Sequence, residues 1–331
     1  MGDMTEIMRV LLYCTVWMMV CGLAQSTMAT PLEGGLVIRT FEDLYEPSAV
    51  IPIKGQGIVI FEDDGVKMIS LHSVVKDDLG LTLKKQHSTA MDLDITDIEG
   101  AASGADDTVF AIASHSLNKK DQRRDKREQL VQLKMNDGMD VSLLGNVGMR
   151  EAIVGELLKI DPALAERADD INIEGLCFSK VGDTLMIGLR APLYKSKAIV
   201  LLLENPYEVI SDSFTAKFSA KPLLLDLGGA GVRALAYSDS SGKYFFISEV
   251  ETKKKKMRPR LWAWDGEKTR AVVRIKVLGL KKLKNIEGLT FFRTQGEDKV
   301  LFVCDDGNKK KKQGAHYAIA NLSEIQKREK K

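Results

Sequence analysis

Three Glu-Gly pairs each open an apolar run: Glu99 in TDIEGAAS, Glu174 in INIEGLCF and Glu287 in KNIEGLTF. A carboxylate repeated at the mouth of similar runs suits three kinds of chemistry. It can ligate a hard cation such as calcium, hold a proton for acid-base work, or accept N-H groups of a neighbouring segment. Arg190 in LMIGLRAP and Arg233 in GVRALAY would offset crowded carboxylates, and His115 in IASHS is a candidate base. The chain has no C-x-x-C, no His-x-x-x-His, no Gly-x-Ser-x-Gly and no P-loop, so zinc sites, an α/β-hydrolase elbow and P-loop nucleotide chemistry find no support.

The elements that must position these residues emerge when the chain is aligned on the Glu-Gly pairs. Each copy is an apolar strand, a second apolar strand ending in polar residues, a variable loop and a third strand. The copies are IEGAAS with TVFAIASHS and EQLVQLKM, IEGLCFS with TLMIGLRAP and AIVLLLE, and IEGLTFF with KVLFVCDDG and HYAIANL. SAVIPI with GIVIFEDDG and KMISLHSV, and VRALAYS with KYFFISEVE and RLWAWDGE, keep the rhythm without the Glu. Ser48, Glu99, Glu174, Arg233 and Glu287 are then equivalent, 51, 75, 59 and 54 residues apart in turn.

Repeats of this kind predict an all-β chain, a β-propeller of five or six blades, with a pair of β-sandwiches as the alternative. The longest interval holds MREAIVGELLKIDPALAERADD, whose spacing predicts a short helical insertion between blades. PYEVISDSFTAKFSAKPLLLDL would supply an outer edge strand or a sixth blade, and GGLVIRTF would pair with the last blade to close the ring. Trp262 and Trp264 alternate on one strand and read as blade core.

In a propeller, the start of each first strand and the end of each second strand emerge on one face near the axis. Ser48, Glu99, Glu174, Arg233 and Glu287 would therefore face Glu62, His115, Arg190, Glu249 and Asp305 around one channel mouth. So many carboxylates repel unless cations, shared protons or a metal offset them. A calcium ion held by Glu99, Glu174 and Glu287, with carbonyl oxygens from Asn172 and Asn285, is one solution; Arg190 and Arg233 are another. A third is structural: Gly permits a tight entry and Glu ties blade to blade.

Formal charge is +2, which argues against a general polyanion binder, but basic residues cluster in blocks. LNKKDQRRDKR, ETKKKKMRPR with Lys254, and DGNKKKKQG with Lys310 all fall between second and third strands, on the face of the glutamates. An acidic hub inside a basic rim would concentrate an anionic small molecule, glycan or lipid headgroup; solvated loop tips are the plainer reading. Nucleic acid is not expected, since no aromatic platform accompanies the lysines.

With 44% apolar residues the chain can bury a large core. Residues 1 to 24 read as a signal peptide, with an apolar core VLLYCTVWMMVCGLA after Arg9 and cleavage at Ala24 or Ala29. Initiation at Met8 would improve its start; Val20 before Cys21 disfavours a lipoprotein, and an uncleaved anchor is the alternative. The expectation is a periplasmic or extracellular protein with no membrane span after cleavage, a propeller over 30 to 322 and a basic tail over 323 to 331. Cys177 and Cys304 lie in strand-like runs and are expected to be core thiols rather than a bridge.

The ordered set DIEGAA with IASHS, NIEGL with LMIGLRAP, GVRALAY, and NIEGL with LFVCDDG resembles the bacterial domain-of-unknown-function family 3616, over roughly Ala49 to Ile319. The resemblance implies a propeller-like fold and no established activity. More distantly, the inner-strand Glu-Gly is similar to that of calcium-dependent lactonase-type and esterase-like phytase-like propellers. That likeness implies a metal-ligand role for Glu99, Glu174 or Glu287, although those lactonases follow Glu-Gly with Pro where this chain has Ala101, Leu176 and Leu289. Two functions stay open. One is a non-catalytic propeller binding an anionic ligand. The other is a calcium-assisted hydrolase of a phosphoester or lactone, with His115 or a carboxylate as base and Arg190 and Arg233 stabilising developing charge.

Overall fold

The computed structural model describes residues 36–326 apart from 54–56, 63–67, 91–94, 137–140, 212–214 and 268. Strand β1 (Val37–Thr40) is followed by four antiparallel sheets, each of four strands in sequence order. Blade 1 holds β2 (Pro47–Ile53), β3 (Gly57–Glu62), β4 (Met68–Asp77) and β5 (Gly80–Ala90); blade 2 holds β6 (Ile98–Ser103), β7 (Thr108–Ala113), β8 (Gln129–Met135) and β9 (Val141–Gly148). Blade 3 holds β10 (Asn172–Phe178), β11 (Leu185–Ala191), β12 (Ala198–Leu203) and β13 (Leu223–Leu225); blade 4 holds β14 (Ala234–Ser238), β15 (Lys243–Glu251), β16 (Met257–Trp264) and β17 (Val273–Ile275). Blade 5 is β18 (Ile286–Thr294), β19 (Glu297–Cys304) and β20 (His316–Asn321), completed on its outer edge by β1.

The ring is thus a five-bladed propeller closed by the first strand, with Val37 opposite Ile319 and Thr40 opposite His316. Closure removes the free edge that an open sheet would present. The helical insertion is a pair, α1 (Arg150–Ile160) and α2 (Pro162–Ala165), between blades 2 and 3. The segment expected to form an edge strand or a further blade folds into a short helix, α3 (Pro206–Ile210), and the outer strand β13; a final helix is α4 (Leu322–Gln326).

Why the inner strands read as unbroken apolar runs follows from strand periodicity. Successive side chains point to opposite faces, and here both faces are covered by a neighbouring blade. In β3, Ile58 and Ile60 pack toward blade 5 with Leu301 and Val303, while Val59 and Phe61 pack toward blade 2 with Val109 and Ala111. In β7, Phe110 and Ile112 turn the other way and meet Leu185 and Ile187 of blade 3. The same alternation in β15 sends Phe246 to the interface with blade 3 and Phe245 to that with blade 5. Each apolar cluster is a seam between two blades. Burial of one such side chain contributes roughly 1.5–3 kcal/mol, so the seams carry the stability. Trp262 and Trp264 belong to the seam between blades 3 and 4, and the Trp262 indole donates to Ser248 Oγ at 2.9 Å.

Cys177 and Cys304 are buried free thiols in different blades, as expected. The signal-peptide stretch, residues 1 to 24, lies outside the described residues, as does 327–331 of the basic tail. Among the described residues no helix is long and apolar enough to cross a membrane.

Candidate site at the polar mouth of the channel

The inner strands line the axis, and their first residues carry the polar groups. In blades 1, 2, 3 and 5 the pairing of first and second strands slips by one residue, between Pro47 and Ala49, Ile98 and Gly100, Ile173 and Gly175, and Ile286 and Gly288. The residues skipped are Ser48, Glu99, Glu174 and Glu287. Each is the extra residue of a β-bulge, which re-aims a side chain out of the strand's regular alternation. Arg233 occupies the matching place in blade 4, its N–H donating to the Ile247 carbonyl at 2.8 Å.

The glycine after each glutamate has a separate cause. A Cβ on Gly100 would stand 2.9 Å from Leu176 Cβ, on Gly175 2.7 Å from Val232 Cγ1 and 3.0 Å from Leu235 Cβ, and on Gly288 2.7 Å from Val50 Cγ1. In each case the obstructing side chain belongs to the next blade or the residue leading into it. The corresponding positions in blades 1 and 4 are Ala49 and Ala234, the next smallest residue. A small residue here lets inner strands approach each other, and the bulged residue before it faces the mouth.

Arg233 stands at the centre. Its Nη2 donates to Glu287 Oε1 at 2.7 Å, its Nε lies 3.1 Å from Glu174 Oε2 and 3.9 Å from Glu249 Oε2, and only 4% of its side chain is exposed. The Nε–Glu174 contact is an ion pair without hydrogen-bond alignment, so both atoms are buried and lack a hydrogen bond. Arg190 Nη1 donates to the other Glu174 oxygen at 2.6 Å, but its side chain is 46% exposed. Asn172 Nδ2 also faces that oxygen, at 3.3 Å.

Carboxyl groups outnumber guanidinium groups, and the electrostatics record it. Burial raises Glu174 despite Arg233 and Arg190, and raises Glu287 well above the usual carboxylate range, with repulsion from Glu174 and Asp305 adding to it. Asp305 is pushed up to about 6, by burial first and then by Glu46. Burial pulls Arg233 down, but Glu174, Glu287, Glu249 and Glu99 more than restore it. Burial and mutual repulsion thus favour the protonated form of these carboxyl groups.

Of the residues expected around this mouth, the structure gathers Glu99, Glu174, Arg190, Arg233, Glu249, Glu287 and Asp305, and sets others aside. Ser48 Oγ donates to the Phe61 carbonyl at 3.4 Å, and Glu62 accepts the Tyr45 N–H at 2.8 Å. His115 is buried, with Nδ1 on the Ala113 carbonyl at 2.8 Å and Arg150 donating to its own carbonyl oxygen at 3.0 Å. Burial holds its pKa down at about 4, so it is a neutral core ring beneath α1 rather than an open base. Glu46 and Arg150 escaped sequence reasoning because neither falls on a repeat position.

The residues expected to ligate calcium are otherwise engaged. The glutamates converge on a guanidinium, the Asn172 amide offers Glu174 its nitrogen, and Asn285 Nδ2 turns to the Asp305 carbonyl at 3.0 Å, leaving the expected five-ligand set unassembled. Among the described residues no three His, Cys, Asp or Glu are placed to share a metal ion.

The basic loops leave the ends of β7, β15 and β19, on the face of the bulged residues. Lys254 and Lys310 are exposed. The loops are braced internally: Lys255 N–H donates to the Thr252 carbonyl at 2.9 Å, and Asn308 caps the Lys309–Lys311 turn. His316, held by Asp306 at 2.8 Å, ties down the base of the third loop.

A profile of the family described as "Protein of unknown function (DUF3616)" matches residues 150–321, more than half of the chain. The chain belongs to this family. Glu174, Arg190, Arg233, Glu249, Glu287 and Asp305 lie inside the matched DUF3616 region, and Glu99 precedes it. No curated protein matches the chain in sequence. Among solved structures, the Bombyx mori GH32 beta-fructofuranosidase is similar in fold, with 12% identity and a TM-score of 0.50 over 86% of this chain, which spans 62% of that one. A GH43 beta 1,3 galactosidase has 10% identity and a TM-score of 0.49 over 86% of this chain and 93% of that chain. An exo-beta-1,3-galactanase from Phanerochaete chrysosporium has 8% identity and a TM-score of 0.47 over 85% and 60%. At 12% identity the likeness to the fructofuranosidase is one of fold alone.

Proposed function

We propose that the polar mouth binds an anionic, hydroxyl-rich ligand, an acidic glycan being the class that fits both halves of the site. The observation that carries this reading is Arg190, which gives one nitrogen to Glu174 while its side chain remains half exposed beside a carboxylate-rich hub. Carboxylates accept hydrogen bonds from hydroxyl groups, and the open side of the guanidinium recognises a carboxylate or sulfate in a fixed fork. The exposed loops carrying Lys254 and Lys310 would raise the local concentration of such a ligand.

Calorimetric titration with oligogalacturonate and with uncharged maltohexaose tests the proposal. Expected is binding of the acidic oligosaccharide only, weakened by salt, with at least a roughly tenfold loss in Arg190→Ala, the scale of one charge-assisted contact. Equal behaviour of the two sugars, or an unchanged Arg190→Ala, rules it out.

Asp305 favours a second reading, hydrolysis of a phosphoester or lactone. A carboxyl that titrates at about 6 is poised to give or take a proton near neutrality, next to cationic groups that could stabilise developing negative charge. Turnover of nitrophenyl phosphoesters or of lactones, lost in Asp305→Asn, would support it; absence of turnover leaves binding alone.

A further inference from the structure

The axial channel has a second mouth, and its chemistry is the reverse of the first. Val50, Ala101, Leu176, Leu235 and Leu289 line both the small space beside the glutamates and a funnel of about 420 Å³ on the opposite face, so they form an apolar waist between the two. The funnel is within the size range of small-molecule sites.

The floor of the funnel is the apolar ring of the waist. Its walls include Phe178, Tyr237 and Phe291, each fixed by another aromatic ring: Phe178 against Phe110 with centroids 5.3 Å apart, Tyr237 against Tyr244 at 4.8 Å, and Phe291 against Phe245 at 4.7 Å. The walls are therefore preformed. Among the described residues lining the funnel only Lys180 and Asp239 are charged; both are exposed at the rim, and they are of opposite sign. The rim hairpin beside them is fastened by the Lys180 N–H donating to the Tyr244 hydroxyl at 2.8 Å, yet it holds Val181 82% exposed at the funnel's edge.

From the apolar floor, the aromatic walls and the two charged described residues at the rim, we propose that this funnel is a second ligand site, separate from the polar mouth, for an uncharged molecule with an apolar ring system. The ligand's body would rest on Leu176, Leu235 and Leu289, and Val181 would cover it from the rim. A neutral polar end would remain near Ser103, whose hydroxyl already donates to the Pro52 carbonyl at 3.2 Å. A charged ligand is disfavoured because nothing at the floor could offset its desolvation.

The test is fluorescence titration of the full chain with N-phenyl-1-naphthylamine, which is uncharged and brightens on leaving water. Two variants obstruct the funnel: Ala101→Phe at its floor and Ser103→Trp at the exposed rim, the latter chosen because Ser103 is exposed and outside the apolar clusters, the change costing only its bond to Pro52. Saturable binding to one site in the parent chain, weakened at least tenfold in both variants while their unfolding temperatures match the parent, is the expected result. No saturable brightening in the parent, or parental affinity in both variants, overturns the proposal.

Discussion

Arg233 of blade 4 and Glu287 of blade 5 meet at 2.7 Å in a site where the arginine is 4% and the glutamate 12% exposed. With Glu174 of blade 3 at 3.1 Å on its other side, the guanidinium bolts three consecutive blades together at the axis. Repeated carboxylates are here gathered by one cation, and the tie between blades and the polar mouth are the same object.

Removing that cation should be costly. Arg233→Met leaves buried carboxylates without their counter-charge, and a loss of about 3–5 kcal/mol in urea unfolding is expected. Adding Glu174→Gln and Glu287→Gln to it should recover much of the loss. If the triple variant is no more stable than Arg233→Met, the arginine acts through packing and not charge.

The pH dependence has two opposing parts. Asp305, raised to about 6, binds its proton more tightly in the folded chain, so its contribution is complete below about pH 4 and disappears as the pH climbs to about 6. Asp305→Asn should therefore stabilise above pH 7, by up to about 3 kcal/mol, and have little effect near pH 4. His115 has the opposite sign: held at about 4, it favours the folded state above its ordinary value of 6.5 and ceases to do so as acid brings the pH to about 4. His115→Gln should make unfolding less acid-sensitive. Urea midpoints across this range decide both, and a gain from Asp305→Asn that is constant with pH would contradict the assignment.

The glycines should resist even the smallest enlargement. A methyl group on Gly175 would lie 2.7 Å from Val232, and on Gly288 2.7 Å from Val50, so Gly175→Ala and Gly288→Ala should each destabilise by about 1–3 kcal/mol. Pairing Gly288→Ala with Val50→Ala should restore part of the loss. Additive losses in that pair would show that the close approach is not the cause.

Calcium should not stabilise the folded chain. A specific ion at about a hundred times its dissociation constant adds about 2.7 kcal/mol, readily seen as a rise in unfolding temperature. Thermal melts in calcium and in chelator are expected to superpose, because Arg233 fills the place among the glutamates. A calcium-dependent rise would reinstate the metal reading.

Five repeat units were legible because the second strand of each is buried along most of its length, which leaves runs such as TVFAIA with no polar residue to obscure them but the first. Outer strands lack that signature. Strand β5 is mostly polar, GLTLKKQHSTA, β9 exposes Leu143 and Leu144, and β17 has three residues; each has one face in solvent and is defined by pairing alone. Alignment of the Glu-Gly pairs located the polar ring, yet not who pairs with whom, because the bulge that aims each glutamate is a register slip with no residue type of its own. His115 was misplaced for the same reason: its position in the repeat is right, but its backbone turns into the left-handed region at φ 59° and carries the ring under α1.

The strand that completes blade 5 comes from the beginning of the described chain, Val37 to Thr40, and its partner from the end, His316 to Asn321. During synthesis that early strand must wait, its hydrogen-bonding edge unmet, until the chain has been made through His316 to Asn321. The seams inside blades 1 to 4 can form meanwhile, from residues close in sequence. The final joining is then a long-range event that seals a nearly finished circle, and a nascent chain cut short before Asn321 would be left as an open arc with an exposed flank.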